Sequence, residues 1–344
     1  MKRIEWIDIC KAIAIFAMVF CHVGLEMPQR CKAVDEFVHY WHMPIFFILS
    51  GLVFNTVKYC GWSHFGDLAK SRVKQLLVPL FSFWVICGVY NFFVVFPDKE
   101  FSFGDMLQNL MYPNRVMWLY SIQWFLLALF TTEIISAAFF NIARGGLPAF
   151  LGICAAYLVG GHVLLKFTGV ELPFALDVTF YSVPMFGTGV ALKNFLMKKR
   201  PLKHPLAQIA ALGVLFGLYF LQPGKLNVRL CRYEPFWMYF LGLAVTVMVI
   251  MLIREQEWWI VKLKGYGIWK WLGTNTLAIL VLNGSIRKTL PLGLLKFDNM
   301  FLTFLAQAAA SAVLIAIVWL ITIPVKRLAP VLLGKSRTKT AAVK

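Results

Sequence analysis

The stretch Trp6-Ile7-Asp8-Ile9-Cys10-Lys11 opens an apolar run that continues to Cys21-His22-Val23. The run is long enough to cross a bilayer core, which takes ~20 residues, yet it carries an acid, a cation and an imidazole. A charge at the centre of a spanning helix costs about 2.5–3.5 kcal/mol on insertion scales, and polar groups retained there usually face a protein interior or a wet cavity. At about 100° per residue, the eleven steps from Lys11 to His22 end only ~20° from three full turns, and they rise about 16 Å. Asp8, three steps before Lys11, shares that side. One face of one helix therefore carries Asp8 and Lys11 near one membrane surface and His22 near the other. Each residue alone also reads as ordinary interface chemistry, Lys11 by snorkelling and His22 by sitting at a helix end. Their shared face favours function, as do the two histidines of the next apolar run, His39-Tyr40-Trp41-His42-Met43-Pro44 through Ser50-Gly51.

Working outward, apolar stretches recur along the whole chain, which is 60% hydrophobic and only 15% charged. That composition describes an integral membrane protein and excludes a soluble domain. The fold expected is all-α, with about ten spans near 6–24, 40–57, 76–96, 118–141, 147–165, 176–196, 205–222, 233–253, 269–289 and 299–325. Residues 60–75 read as an amphipathic helix lying at the interface before the third span. A single membrane domain over 1–330 and a basic tail over 331–344 follow. With the N-terminus inside, 22 of the 34 Lys and Arg fall in cytoplasmic segments, which favours both termini in the cytoplasm. The net charge of +18 then reflects basic inside loops and attraction to anionic lipid; no nucleic-acid motif accompanies it. The seven cysteines are scattered without a CxxC pair, so neither a disulfide framework nor a metal site is expected. Those inside spans read as small hydrophobes. The N-terminal run has charges and no small-residue cleavage site, so it reads as a retained span and not as a signal peptide.

This topology sorts the polar groups by side. Lys11, Arg72 and Lys74 fall near the cytoplasmic face, where basic side chains suit a phosphate-bearing ligand. His22, His39, His42, Gln123, Trp124 and Asn283 fall toward the outer face, where a neutral imidazole suits general-base work. His39 reads more simply as a loop residue, and Arg72 and Lys74 equally mark topology. Glu133, midway in the fourth span, is expensive unless paired or wet; it reads either as a proton acceptor or as the partner of a buried cation.

Several motifs together resemble the membrane-bound acyltransferase family 3, in particular its branch resembling fucose 4-O-acetylases. They are the Trp6–His22 run, His42-Met43-Pro44-Ile45-Phe46-Phe47-Ile48-Leu49-Ser50-Gly51, Arg72-Val73-Lys74-Gln75-Leu76-Leu77-Val78-Pro79, Gln123-Trp124-Phe125-Leu126-Leu127, Pro184-Met185-Phe186-Gly187-Thr188-Gly189 and Leu272-Gly273-Thr274-Asn275. The resemblance implies a ten-helix enzyme of the inner (plasma) membrane. Such an enzyme moves an acyl group, usually acetyl, from cytoplasmic acyl-CoA to a hydroxyl of a surface polysaccharide or a lipid-linked sugar precursor. It implies that Lys11 and His22 fill the family's basic-x10-His signature, with His22 catalytic, and that Arg72 and, beside it, Lys74 contact the acyl-CoA. Two positions depart from the family pattern: Gln75 replaces the second arginine of Arg-x-x-Arg, and Asn283 replaces a late histidine.

The reading that results is an O-acetyltransferase using acetyl-CoA and no metal. Lys11, Arg72 and Lys74 hold the donor, and His22 is the general base with His42 beside it. Asp8, Trp124 and Asn283 contact the acceptor, Trp124 by stacking on a sugar ring. The competing reading is a transporter or sensor for a small polar solute, such as an amino acid, on the same scaffold, in which the histidines line a path and no acyl-CoA is needed.

Overall fold

The computed structural model describes residues 4–23, 29–98, 103–112, 124–221, 225–290 and 299–334. The chain is helical almost throughout, and its first helix is its hub. Helix α1 (Glu5–His22) packs against α2 (Gln29–His39), α3 (Pro44–Val53), α11 (Met238–Ile260), α12 (Tyr266–Thr274), α13 (Thr276–Thr289) and α14 (Met300–Leu328). Ile9, Cys10, Ala12, Ala14, Ile15 and Val19 are fully buried. A helix walled in by others need not show lipid a purely apolar face, which is why α1 tolerates Glu5, Asp8 and Lys11.

The remaining helices are α4 (Phe65–Arg72), α5 (Val78–Tyr90), α6 (Phe103–Met111), α7 (Trp124–Ile142), α8 (Leu147–Thr168), α9 (Leu176–Lys198) and α10 (Pro205–Leu221). Among the described residues six helical stretches are long and apolar enough to cross a membrane: Trp62–Val95, Trp124–Ile142, Leu147–Thr168, Pro173–Lys198, Met238–Ile260 and Met300–Leu328. The other four expected spans are helical too but differ in kind. α1 carries three charges, α3 has only 10 residues, α10 has 17, and the ninth is broken between α12 and α13. The interfacial helix expected over 60–75 is not separate. A 3-10 turn at Trp62–His64, α4, a π turn at Val73–Leu77, α5 and a second π turn at Asn91–Val95 run on as one helix. Large apolar side chains such as Phe81, Ile86, Val159, Leu212, Phe216, Leu305 and Val313 point outward, the dressing of a surface that meets lipid instead of water.

Among the described residues the all-α expectation has one exception. Lys225–Asn227 and Arg232–Glu234 form a small antiparallel hairpin with Leu226 opposite Tyr233. At the other end Pro330–Leu333 form a 3-10 turn; Leu333 is buried and Gly334 abuts the Gln75 backbone. Residues 330–334 thus pack on the described helices, and residues 335–344 lie outside the described part.

Two glycine contacts set the helix spacing. A methyl on Gly51 would overlap the Phe186 carbonyl, and one on Gly189 would overlap the Ile48 carbonyl, so α3 and α9 touch backbone to backbone. Likewise a methyl on Gly273 would strike the Asp8 backbone, which fixes how closely α12 crosses α1.

Candidate functional site

Lys11 opens into a cavity of about 260 Å³ bounded by α1, α3, the π turn, α7 and α13. Its polar lining is Lys11, Ser50, Arg72, Gln75, Glu133 and Thr276, and its apolar lining includes Ile15, Phe46, Phe125 and Leu280. Glu133 is buried, and its carboxylate meets Arg72 Nε at 2.6 Å without hydrogen-bond alignment. Ser50 Oγ donates to the other carboxylate oxygen. Of the two readings of Glu133, partnership with a cation is the one seen, although that cation, Arg72, is only partly buried. Arg72 Nη1 also donates to Gln75 Oε1 at 2.7 Å, and Gln75 Nε2 donates to Ser71 Oγ at 3.1 Å. Gln75, at the departure from the Arg-x-x-Arg pattern, therefore braces Arg72. Lys11 and Arg72 bring two cations to a lining that holds one carboxylate, Glu133. The break at Asn275 starts α13 here, so a helix N-terminus adds positive potential. An anionic ligand fits these electrostatics. Lys74 does not line the cavity; it sits exposed on the π turn.

Two residue stripes lead away from this cavity. On α1, Lys11, Ile15, Met18 and His22 recur at spacings of four, three and four; on α13, Thr276, Leu280, Asn283 and Arg287 do the same. Lys11, Ile15, Thr276 and Leu280 line the cavity. The helices pack against each other and run the same way, because Arg287 lies close enough to His22 for its charge to reach the ring. Asn283 falls between, 1% exposed, with neither amide atom hydrogen-bonded. A buried amide left unpaired costs about 1–3 kcal/mol, so this position is suited to a bound partner.

At the far end three imidazoles cluster. Ring centroids are 6.4 Å apart for His22 and His42, 6.2 Å for His22 and His39, and 4.8 Å for His39 and His42. His39, read from sequence as a loop residue, closes α2 and belongs to the cluster. Each ring spends Nδ1 on the carbonyl four residues back: Met18 for His22 at 2.8 Å, Asp35 for His39 at 2.7 Å and Val38 for His42 at 2.8 Å. A carbonyl only accepts, so Nδ1 carries the hydrogen and the neutral ring keeps its lone pair on Nε2. All three are thereby held in one tautomer, with Nε2 as the basic atom.

Asp8 is buried where α1 crosses α12 and is not part of the cavity lining. Trp124 is buried at the start of α7, edge-on to Phe125; through Phe125 it backs the cavity wall and presents no open face for stacking. Gln123 lies outside the described residues. Arg287 was not singled out from sequence, since a cation in the last turn of a helix is an ordinary dipole partner.

On the histidine side a cavity of about 290 Å³ is lined by Asp35, Glu36, His39, Tyr40, Asn227 and Arg232. Leu230 and Arg232 also line a larger one, about 680 Å³, with His162, Glu171, Asp177, Tyr181, Tyr233 and Phe236. His162 stacks on Phe236 with centroids 4.0 Å apart, and Tyr181 stacks on Tyr233 at 4.3 Å. Burial, reinforced by Asp177, pushes the Cys231 thiol well above its ordinary range. Burial acts the same way on the Tyr233 hydroxyl, so both stay neutral near pH 7. The two cavities adjoin at Leu230 and Arg232, and the smaller one reaches His39.

No curated protein matches the chain. Residues 4–323, nearly the whole length, match the family model described as an acyltransferase domain. A helical membrane bundle whose hub helix joins an anion-suited cavity to a cluster of basic imidazoles belongs, on that match, to acyltransferase family 3.

Proposed function

We propose that this membrane acyltransferase moves an acetyl group from acetyl-CoA, entering from the cytoplasm, to a hydroxyl of a surface polysaccharide or its lipid-linked precursor at the plasma membrane. Both termini then lie in the cytoplasm, so the Lys11 cavity faces inward and the imidazoles outward. The observation that carries the reading is the pair of stripes joining that cavity to His22. The donor's phosphates meet Lys11, Arg72 and the start of α13, and its slender acyl-bearing arm follows Ile15, Leu280 and Asn283. The Asn283 amide is placed to pair with the amide-rich arm or the thioester carbonyl.

His22 Nε2 removes the proton of the acceptor hydroxyl, and the oxygen attacks the thioester carbon. Charge building on the carbonyl oxygen is met by Arg287. The C–S bond breaks, the acetyl ester forms, and the proton held by His22 passes to the leaving thiolate, so the ring ends neutral. His42 keeps the acceptor in reach. The adjoining cavities beyond His39 are the acceptor's approach, since stacked rings with interspersed carboxylates and an arginine suit a sugar chain. That assignment replaces stacking on Trp124, whose ring is covered.

The test is transfer of label from radiolabelled acetyl-CoA to purified polysaccharide by the detergent-solubilised full chain. We expect transfer by the native protein and loss of at least about 100-fold in His22→Ala, the usual worth of a positioned base. A folded His22→Ala protein acetylating at the native rate defeats the role of His22. A native protein that never consumes acetyl-CoA, but moves a small solute across vesicles, establishes the transporter reading instead.

A further inference from the structure

Next to the imidazole cluster lies a group of side chains that the transfer reaction does not use. Cys21, Asp35 and His39 each bring one ligand-type atom, sulfur, carboxylate oxygen and imidazole nitrogen, within 4.8 Å of one another. Cys21 is in the last turn of α1; Asp35 and His39 stand four residues apart on one face of α2. We infer that this triad binds a divalent transition metal of zinc-like preference, clamping α2 to the hub helix beside the reacting histidine.

Four observations bear on it. The donor set mixes one thiol, one imidazole and one carboxylate, which suits zinc and its neighbours over calcium or magnesium. Asp35 Oδ1 is buried without a hydrogen-bond partner. The Cys21 sulfur lies within 4.8 Å of the same carboxylate, on the neighbouring helix. His39 commits Nδ1–H to the Asp35 carbonyl at 2.7 Å, the outer bond that metal-binding histidines commonly make while ligating through the other nitrogen. Donor atoms around a tetrahedral zinc stand about 3.5 Å apart at its usual bond lengths, so the triad closes by about 1 Å on rotation of Cys21 and Asp35. The 290 Å³ cavity that contains Asp35 and His39 gives the ion a way in and leaves room for water as fourth ligand. The sequence conceals the site because its ligands come from two helices separated by a loop, with no paired-cysteine spacing.

The experiment titrates cobalt(II) into the chelator-treated, full-length protein in detergent. We expect one equivalent bound, a thiolate-to-cobalt absorption band, and displacement of both by zinc. Cys21→Ser should abolish the band, and Asp35→Asn and His39→Gln should each weaken binding at least about tenfold. His22→Ala should keep the band while losing acetyl transfer, which separates this inference from the proposed function. Melting profiles identify misfolded variants, and for any such variant the native stoichiometry and band decide. Absence of a one-equivalent complex in the native protein, or a band that survives in Cys21→Ser, overturns the assignment.

Discussion

At the residue scale the informative pair is Arg72 and Glu133. Removing one partner of a buried ion pair costs about 3–5 kcal/mol because the other charge is left uncompensated; Arg72 is 21% exposed, so the lower end applies. Two substitutions there should diverge. Glu133→Gln should lower the thermal midpoint, yet it raises the cavity's positive charge, so the KM for acetyl-CoA should fall or hold. Arg72→Gln should also destabilise but should raise that KM several-fold. Initial rates over a donor series, read beside melting profiles, check both; a donor KM unmoved by Arg72→Gln removes Arg72 from the donor site. Asn283→Leu gives a third outcome. An orphaned amide costs stability, so an apolar replacement of similar size should leave the melting temperature unchanged or higher while kcat drops at least about tenfold. A rise in melting temperature with full activity would make Asn283 merely tolerated.

At the scale of elements the family-like motifs separate into those that do chemistry and those that shape packing. Pro184-Met185-Phe186-Gly187-Thr188-Gly189 carries no group toward the site; its glycines let α9 lie against α3 and beside Cys154 of α8. Leu272-Gly273-Thr274-Asn275 works by ending one helix and starting another. Asn275 N–H bonds back to the Trp271 and Leu272 carbonyls, and α13 begins at the cavity wall. Gly189→Ala should therefore destabilise by about 1–3 kcal/mol, the usual cost of overpacking a filled interior. The loss would appear as a lower melting midpoint with unchanged donor KM. Gly273→Ala displaces α12 from Asp8 and with it the start of α13, so it should impair donor binding as well as stability. Equal effects of the two on KM would contradict this division.

At the scale of the molecule the arrangement is a buried hub with a charged cavity at one end and imidazoles at the other. In the proposed orientation, a cysteine placed at exposed Lys74 in a background lacking Cys31 and Cys60, the latter exposed, should resist a membrane-impermeant maleimide added to intact cells. It should label after the cytoplasmic side is opened. Labelling in intact cells would reverse the topology and with it the side from which the donor enters.

The sequence alone determined the class and the hub. Hydropathy over the whole chain admits only a membrane helical protein, and helix periodicity puts Lys11 and His22 on one face because 3.6-fold geometry is local. It also marked His42 and Asn283, polar groups costly to keep in apolar segments without a use, and Arg72 through the basic motif ahead of the third span. Tertiary structure alone decided the partners, since contacts across long sequence separations leave no local period. It joined Glu133 to Arg72, withdrew Lys74 from the cavity, covered Trp124, brought His39 beside His22 and set Arg287 near that ring. It also broke the ninth span, ran α4 into α5 and added the hairpin. Each of these turns on which helix lies against which, and that is fixed by the close glycine contacts and buried polar pairs of the assembled bundle.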